Sequence, residues 1–360
     1  MPHQRIVFIV PHREGRSPGQ RFRFEQYLTQ LQNNGFEILF LPLLSKEDDF
    51  LFYNGSLFQK ILLVARTFLK RRKHVKQLRN DDIVFIYREA HFLGTIIFEK
   101  MIRKRVKKMA FDFDDAIWLK DVSAGNQKLA FLKRPEKTAD IIALCDAVIA
   151  GNSFLASYAQ KFCRQVEVIP TTIDLLYHKT KTTVKKERVC IGWTGTQTTV
   201  KHFMLLTEVF KRLKKKYGHR IFFKLISDST EAIPELNLSS TKWKLESEIE
   251  QLSEIDIGVM PLPDDEWSKG KCGFKGLQYM SLSIPTVMSP VGVNTEIISD
   301  GVNGFIAQSE SEWFEKLSLL IDDETLRKQL GKKGFETIVE RYSVSANSDK
   351  YVNFFQALTS

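Results

Sequence analysis

Short apolar runs alternate along this chain with longer stretches whose apolar residues recur every three or four positions. The first run, Arg5-Ile-Val-Phe-Ile-Val10, predicts a strand buried on both faces. The loop PHREGRSPGQ leads into a helix expected over 21–33, with Phe22, Phe24, Tyr27, Leu28 and Leu31 as its apolar side. Gly35 ends that helix, and 36–42 reads as the second strand. Further strands are predicted at 82–87, 108–113, 145–150 and 166–169, with helices over 57–79 and from Gly151 to Phe162. A polar, charged linker at 179–188 closes this half. The alternation then restarts with strands at 189–193, 221–227, 255–260 and 286–289. Between them lie a helix carrying Phe203, Leu206, Phe210, Leu213 and Tyr217 on one stripe, an acidic helix over 246–253, and a helix over 272–283. Two amphipathic helices at 311–340 and a last one at 341–360 complete the chain. Strand–helix alternation of this kind predicts the α/β class with parallel sheets, in two domains at 1–175 and 187–340.

The stretch 256–306 carries the strongest candidate chemistry. Pro261 and Pro263 end its first strand, Gly270 and Gly273 introduce the helix, and Pro285 breaks it. Lys271, Lys275 and Gln278 fall at i, i+4 and i+7, on a different face from Phe274, Leu277, Met280, Ser281 and Ile284. Lysines at a helix start oppose the macrodipole at up to roughly 1 kcal/mol each. A bound anion recovers that cost, and a phosphate there also meets free backbone N–H groups; a solvated pair of lysines is the alternative. Asn294 and Thr295, opening the next helix, are counted with this side. The small-residue loop Thr194-Gly195-Thr196-Gln197-Thr198-Thr199 is a second phosphate cradle through its backbone. Asp228, ending the 221–227 strand, stands where a nucleoside would lie.

GKCGFKGLQYMSLSIPTVMSPVGVNTEII…GVNGF resembles the nucleotide-sugar segment of GT-B glycosyltransferases, specifically glycosyltransferase family four. PTTID at 170–174 is similar to the sequence with which such enzymes leave their first domain, and DFDDAIW to a segment of one branch of the family. The resemblance implies two Rossmann-like domains facing a central cleft, with 341–360 crossing back to the first domain. It implies transfer from a nucleotide-diphosphate sugar with retention of configuration, without a required metal or cofactor. The family's paired glutamates, eight positions apart, align with Gly270 and Gln278, so both are missing here. Gln278 can still bond a ribose hydroxyl, and Lys271 or Lys275 can meet the diphosphate. Thr196 stands where family members carry an arginine, and Lys201 lies loosely at the place of a lysine.

In the first half, polar residues at strand ends mark the expected acceptor side. These are Arg88 and Glu89 after one strand and Asp112, Asp114 and Asp115 after the next. Arg21 joins them on the strength of the resemblance, since related transferases carry Arg-x-Arg here. Asp115 and Glu89 are the candidate catalytic carboxylates. DFDD is set either to hold acceptor hydroxyls or to cap the next turn; carboxylates also suit Mg²⁺, but no metal is expected.

Charge adds a partner. The net +10 is uneven: residues 1–176 hold 28 Lys+Arg against 19 Asp+Glu, and the rest 25 against 24. Lys70-Arg71-Arg72-Lys73, Lys76 and Arg79, with EKMIRKRVKK at 99–108, hold much of the excess. Zinc spacing and ribonucleoprotein-type aromatic motifs are missing, so nucleic acid is not the expected partner. A polybasic helix with Leu57, Phe58, Leu62 and Phe68 close by suits an anionic membrane surface; a merely solvated basic face is the alternative. Four scattered cysteines, and no run of roughly 20 apolar residues, give the expectation of a cytoplasmic protein, peripheral on the inner face of the membrane. The acceptor is then a saccharide or a lipid-linked one. A sugar-nucleotide epimerase using Glu89 or Asp115, and a non-catalytic basic binding protein, are the competing readings.

Overall fold

The computed structural model describes residues 4–119, 134–179, 187–227, 236 and 238–359. It divides into two units, residues 1–171 with 347–360, and residues 172–346.

The first unit is built on six parallel strands: β1 Arg5–Val10, β2 Glu37–Pro42, β3 Ile83–Tyr87, β4 Lys108–Phe113, β5 Ala147–Ala150 and β6 Gln165–Val168. Their order is β2-β1-β3-β4-β5-β6, so the chain reverses its direction of travel across the sheet beside β1. Every residue of β1 and β3 is buried, as strands covered by helices on both faces must be. Phe8 and Phe24 stack on each other and each packs within 6.5 Å of the rings of Phe40 and Phe85, and Phe355 of the last helix, Val344–Thr359, joins Phe8 and Phe85. Tyr351 of that helix stacks on Tyr27 with ring centroids 4.4 Å apart.

The helix expected over 21–33 is instead three pieces, Pro18–Arg23, a 3-10 turn at Glu25–Tyr27, and Leu28–Asn33. The break falls at Phe24 (φ −134°), where two neighbours turn inward together. Phe24 stacks on Phe8, and Arg23, fully buried, reaches Asp112. A continuous helix would splay adjacent side chains about 100° apart.

The long helix is observed at Leu57–Lys76, started by a Ser56/Gln59 capping box. Its basic half is not one solvated face. Arg71 is buried and donates to the carbonyls of Leu41 (2.9 Å), Val10 (2.9 Å) and Ala90 (2.7 Å). Lys70 donates to the carbonyl of Leu43 at 2.9 Å. Phe68, expected beside the charge at the surface, packs on Phe98 at 4.7 Å. Arg103, from the second basic stretch, is paired with Asp146 at 2.6 Å.

The second unit carries β7 Val189–Gly195, β8 Ile221–Ser227, β9 Ser239–Lys242, β10 Ile257–Met260, β11 Thr286–Met288 and β12 Phe305–Ile306, all parallel, in the order β12-β11-β10-β7-β8-β9. Strands β9 and β12 escape the pattern because SSTK has no apolar residue and Phe-Ile is only two residues long. One face of this sheet packs Trp193, Phe203, Phe210 and Phe223 with the helix Glu310–Asp322; the other packs Tyr279, Leu282 and Leu252. The order reverses between β7 and β10. In an open parallel sheet the crevice beyond the carboxyl ends of such a strand pair is where ligands bind. The loops that follow β7 and β10, 196–199 and 261–273, hold Thr196 and Lys271, with Gly195 at the end of β7 and Lys275 just beyond the second loop.

Candidate functional site

At the β7/β10 reversal the strand runs two residues further than expected, to Gly195. The backbone N–H of Thr194 donates to the buried hydroxyl of Tyr279 at 3.0 Å, which pins the end of β7 to the neighbouring helix. Gly195 lies against the Trp193 ring, and a Cβ there would also stand 2.9 Å from Cε of Lys275. The lysine chain therefore lies directly over the glycine, and its ammonium sits 5.2 Å from the Trp193 ring centroid. Thr196 opens a 3-10 turn at Gln197–Thr199, with its hydroxyl 2.9 Å from that of Thr198.

The helix that carries Tyr279, beyond β10, starts later than the sequence suggested, at Phe274, and ends at Ser281. Its N-cap, Gly273, is left-handed (φ 67°), and a Cβ there would strike Ile297; both facts require glycine. Lys271 therefore precedes the helix rather than sharing its face with Lys275, and its ammonium lies 5.5 Å from the Trp267 ring centroid. Trp267 sits in a one-turn helix, Glu266–Lys269, where the sequence suggested only loop; Asp265 caps it by accepting from Ser268 N–H at 2.7 Å. Gln278 is buried, on the inner side of the helix. Asn294 is buried too, with its amide donating to the carbonyl of Ser289 at 3.0 Å, which ties the 289–294 turn together. Thr295 donates to the carbonyl of Gly292 at 3.2 Å. Asp228 lies outside the described residues.

A residue not foreseen completes this corner. His202 is buried, and burial, then Lys271, Lys275 and Lys201, pull its pKa down to about 4. It is neutral at pH 7, because burial and the three lysines outweigh the opposing pull of Asp265. A base whose folded pKa lies below its unfolded one contributes stability that is full above about 6.5 and is lost as pH falls toward about 4. Between pH 7 and 4.5, His202→Gln is expected to lose less stability than the wild type, by on the order of 2 kcal/mol. Urea denaturation of both proteins across that range measures it, and parallel pH profiles would remove His202 from the account. Neither His202 nor Tyr279 is distinguishable in the sequence from a residue of an ordinary apolar stripe.

In the first unit, the ends of β3 and β4 bring three expected residues into one ionic cluster. Arg88, in the left-handed region (φ 60°), donates to Asp114 Oδ1 from Nε (2.9 Å) and Nη2 (2.6 Å) and to Asp115 Oδ2 from Nη2 (2.7 Å). The buried Tyr87 hydroxyl donates to Asp114 Oδ1 at 2.8 Å. Holding a non-glycine residue in that conformation costs on the order of 1 kcal/mol, which the paired guanidinium offsets. Glu89 is paired with Lys137 at 2.7 Å, whose ammonium also donates to the carbonyls of His91 (2.8 Å) and Leu93 (2.5 Å). Arg21 lies on the Pro18–Arg23 helix, its guanidinium 4.9 Å from the Phe22 ring centroid.

Asp112 needs correcting as an acceptor contact. It is fully buried, and Arg23 donates to its Oδ1 from Nε (3.2 Å) and Nη2 (2.7 Å). Burial raises its pKa to about 6, against the pull of Arg23. Its inward place follows from strand alternation: Asp112 and Asp114, two apart, begin on one side of β4, but the strand ends at Phe113 and only Asp114 and Asp115 emerge.

Residues 188–323 match the family model of glycosyl transferases group 1. Among solved structures, the chain is similar to Anabaena HepE in complex with UDP-glucose, at TM-score 0.67 and 12% identity over 99% of this chain and 100% of that one. A glycosyltransferase from Rickettsia africae matches at TM-score 0.67 and 13% identity, covering 99% of each chain. Sucrose-phosphate synthase from Thermosynechococcus elongatus matches at TM-score 0.63 and 12% identity, again over 99% of each. No curated protein matches the sequence. The second unit thus carries a glycosyl transferases group 1 domain at 188–323, in a chain whose two parallel six-stranded units share the fold of these solved glycosyltransferases.

Proposed function

We propose that the second unit binds a nucleoside-diphosphate sugar and that the enzyme passes the sugar, with retention, to a saccharide or lipid-linked acceptor held by the first unit. The observation that carries this is the gathering of Lys271 and Lys275 around the β7/β10 reversal, beside the loop that Tyr279 pins. Two cations at that point suit a diphosphate leaving group, and charge developing on it is what a preorganised site stabilises. A uridine nucleotide is the first candidate, because Anabaena HepE has been solved with UDP-glucose. Transfer then rests on positioning the two substrates and on the lysines, with neither metal ion nor cofactor. Asp115 meets an acceptor hydroxyl, with Glu89 as the second carboxylate of that side and Arg88, Asp114 and Arg21 around them. The enzyme works at the inner face of an anionic membrane, to which its basic first unit is drawn.

Thermal stabilisation by a panel of nucleosides and nucleoside diphosphates tests the donor half, and product analysis with donor alone separates transfer from epimerisation. Asp115→Asn is expected to lower turnover on the order of tenfold to a hundredfold with donor affinity unchanged. Unchanged turnover would return the Arg88–Asp114–Asp115 cluster to a structural role. A product formed from the donor alone would favour epimerisation.

A further inference from the structure

The geometry points to the outer face of the helix Leu57–Lys76 as the surface that docks on an anionic bilayer. This deepens the membrane partner proposed above and rests on it. The helix turns Leu63, Thr67, Arg71, His74 and Val75 inward. A surface helix ordinarily keeps its opposite face polar. Here that face carries Phe58 (69% exposed), Ile61 (56%), Leu62 (53%) and Leu69 (58%). Phe50 and Tyr53 of the preceding helix, Lys46–Asn54, are exposed as well. Isolated exposed apolar residues need no explanation, but four on one side of a single helix do.

The same side continues past Leu69 into Arg72, Lys73 and Lys76, at steps of three, four and seven, and all three are exposed. The whole helix has no acidic residue. One end of the face is thus apolar and the other cationic. That pairing fits a bilayer with anionic headgroups, into which side chains such as Phe58 and Ile61 can insert while the lysines stay at headgroup level. A nucleic acid would answer the charge and leave the apolar half in water. Among the described residues no helix is long and apolar enough to cross a membrane, so this face would dock and not span. The inference differs from the one drawn from composition: Arg71, Lys70 and Phe68 turn inward, and Ile61 and Leu69 replace them.

Flotation with phosphatidylglycerol-containing and pure phosphatidylcholine vesicles, at low and high salt, tests it. The wild type is expected to float with the anionic vesicles, less as salt rises, with an apolar remainder. Phe58→Glu/Ile61→Glu is expected to reduce the vesicle-bound fraction at least about tenfold at every salt concentration. Lys73→Glu/Lys76→Glu is expected to bind weakly and with a flatter salt response. All four positions are exposed, so a circular dichroism melt matching the wild type checks that the variants fold. If the wild type floats and both variants float equally, this face is not the docking surface, although the membrane partner stands. If the wild type ignores anionic vesicles, both fall. A wild-type dimer by light scattering that becomes monomeric in Phe58→Glu would make the face a contact between copies and overturn the inference. Binding to nucleic acid with a steep salt slope, and not to vesicles, would overturn it too.

Discussion

Replacing Lys271 and Lys275 together with alanine is expected to weaken nucleoside-diphosphate binding by on the order of a hundredfold or more, with nucleoside binding nearly unchanged. Each charge-assisted bond to a phosphate contributes about 1.5–3 kcal/mol, so losing two exceeds a hundredfold. The geometry supports joint action. Both ammonium groups bear on the same buried imidazole of His202, and each leans on an indole, Lys271 on Trp267 and Lys275 on Trp193. Lys275 also lies in the first turn of a helix whose dipole it opposes, a cost that an anion removes. The double variant relieves that repulsion, so the unliganded protein is expected to be no less stable. Isothermal titration with uridine and with uridine diphosphate separates the outcomes. An equal loss for both ligands would mean that the substitutions damaged the unit instead of removing a phosphate contact.

Arg71→Met is expected to destabilise the first unit by about 3–5 kcal/mol, the largest stability effect anticipated here. Arg71 is wholly buried, and its guanidinium donates to three carbonyls, of Val10 at the end of β1, of Leu41 in β2, and of Ala90 after β3. Burial lowers its pKa to about 9, so it remains charged at neutral pH. Methionine fills much of the volume but leaves three buried acceptors unanswered, each worth about 1–3 kcal/mol. The adjacent Arg72, exposed on the outer face, provides the comparison: Arg72→Met should stay within about 0.5 kcal/mol. Urea denaturation of both variants measures the difference. Similar costs for both would show that the carbonyls find other partners.

These neighbours in one basic run show where reading the sequence stops. Lys70-Arg71-Arg72-Lys73 is uniform as composition, yet the helix turns about 100° per residue, so two members point in and two point out. Periodicity does place Leu63, Thr67 and Val75 on one side, but a buried arginine is legible only once the carbonyl ends of β1 and β2 are seen beside it. The DFDD segment behaves alike. Its strand was legible from 108 onward, but which aspartates emerge depends on where pairing with β5 stops and on Arg23, 89 positions away, arriving to meet Asp112.

The sequence by itself determined the parallel α/β class, most of the strands, and the β10–loop–helix segment with Lys271 and Lys275, because apolar runs and glycine–proline punctuation are local signals that burial cannot disguise. It missed β9 and β12, which exist only because a neighbouring strand offers an edge to pair with. Tertiary structure alone decided that Lys271 lies before the helix, that Gln278 and Asn294 turn inward, that His202 and Tyr279 belong to the same corner, and that Arg88 bridges Asp114 and Asp115. Those outcomes depend on strand order. The residues meet because β7 and β10 are neighbours at a reversal, and β3 lies beside β4, pairings that join positions tens of residues apart and leave no periodic trace in the chain.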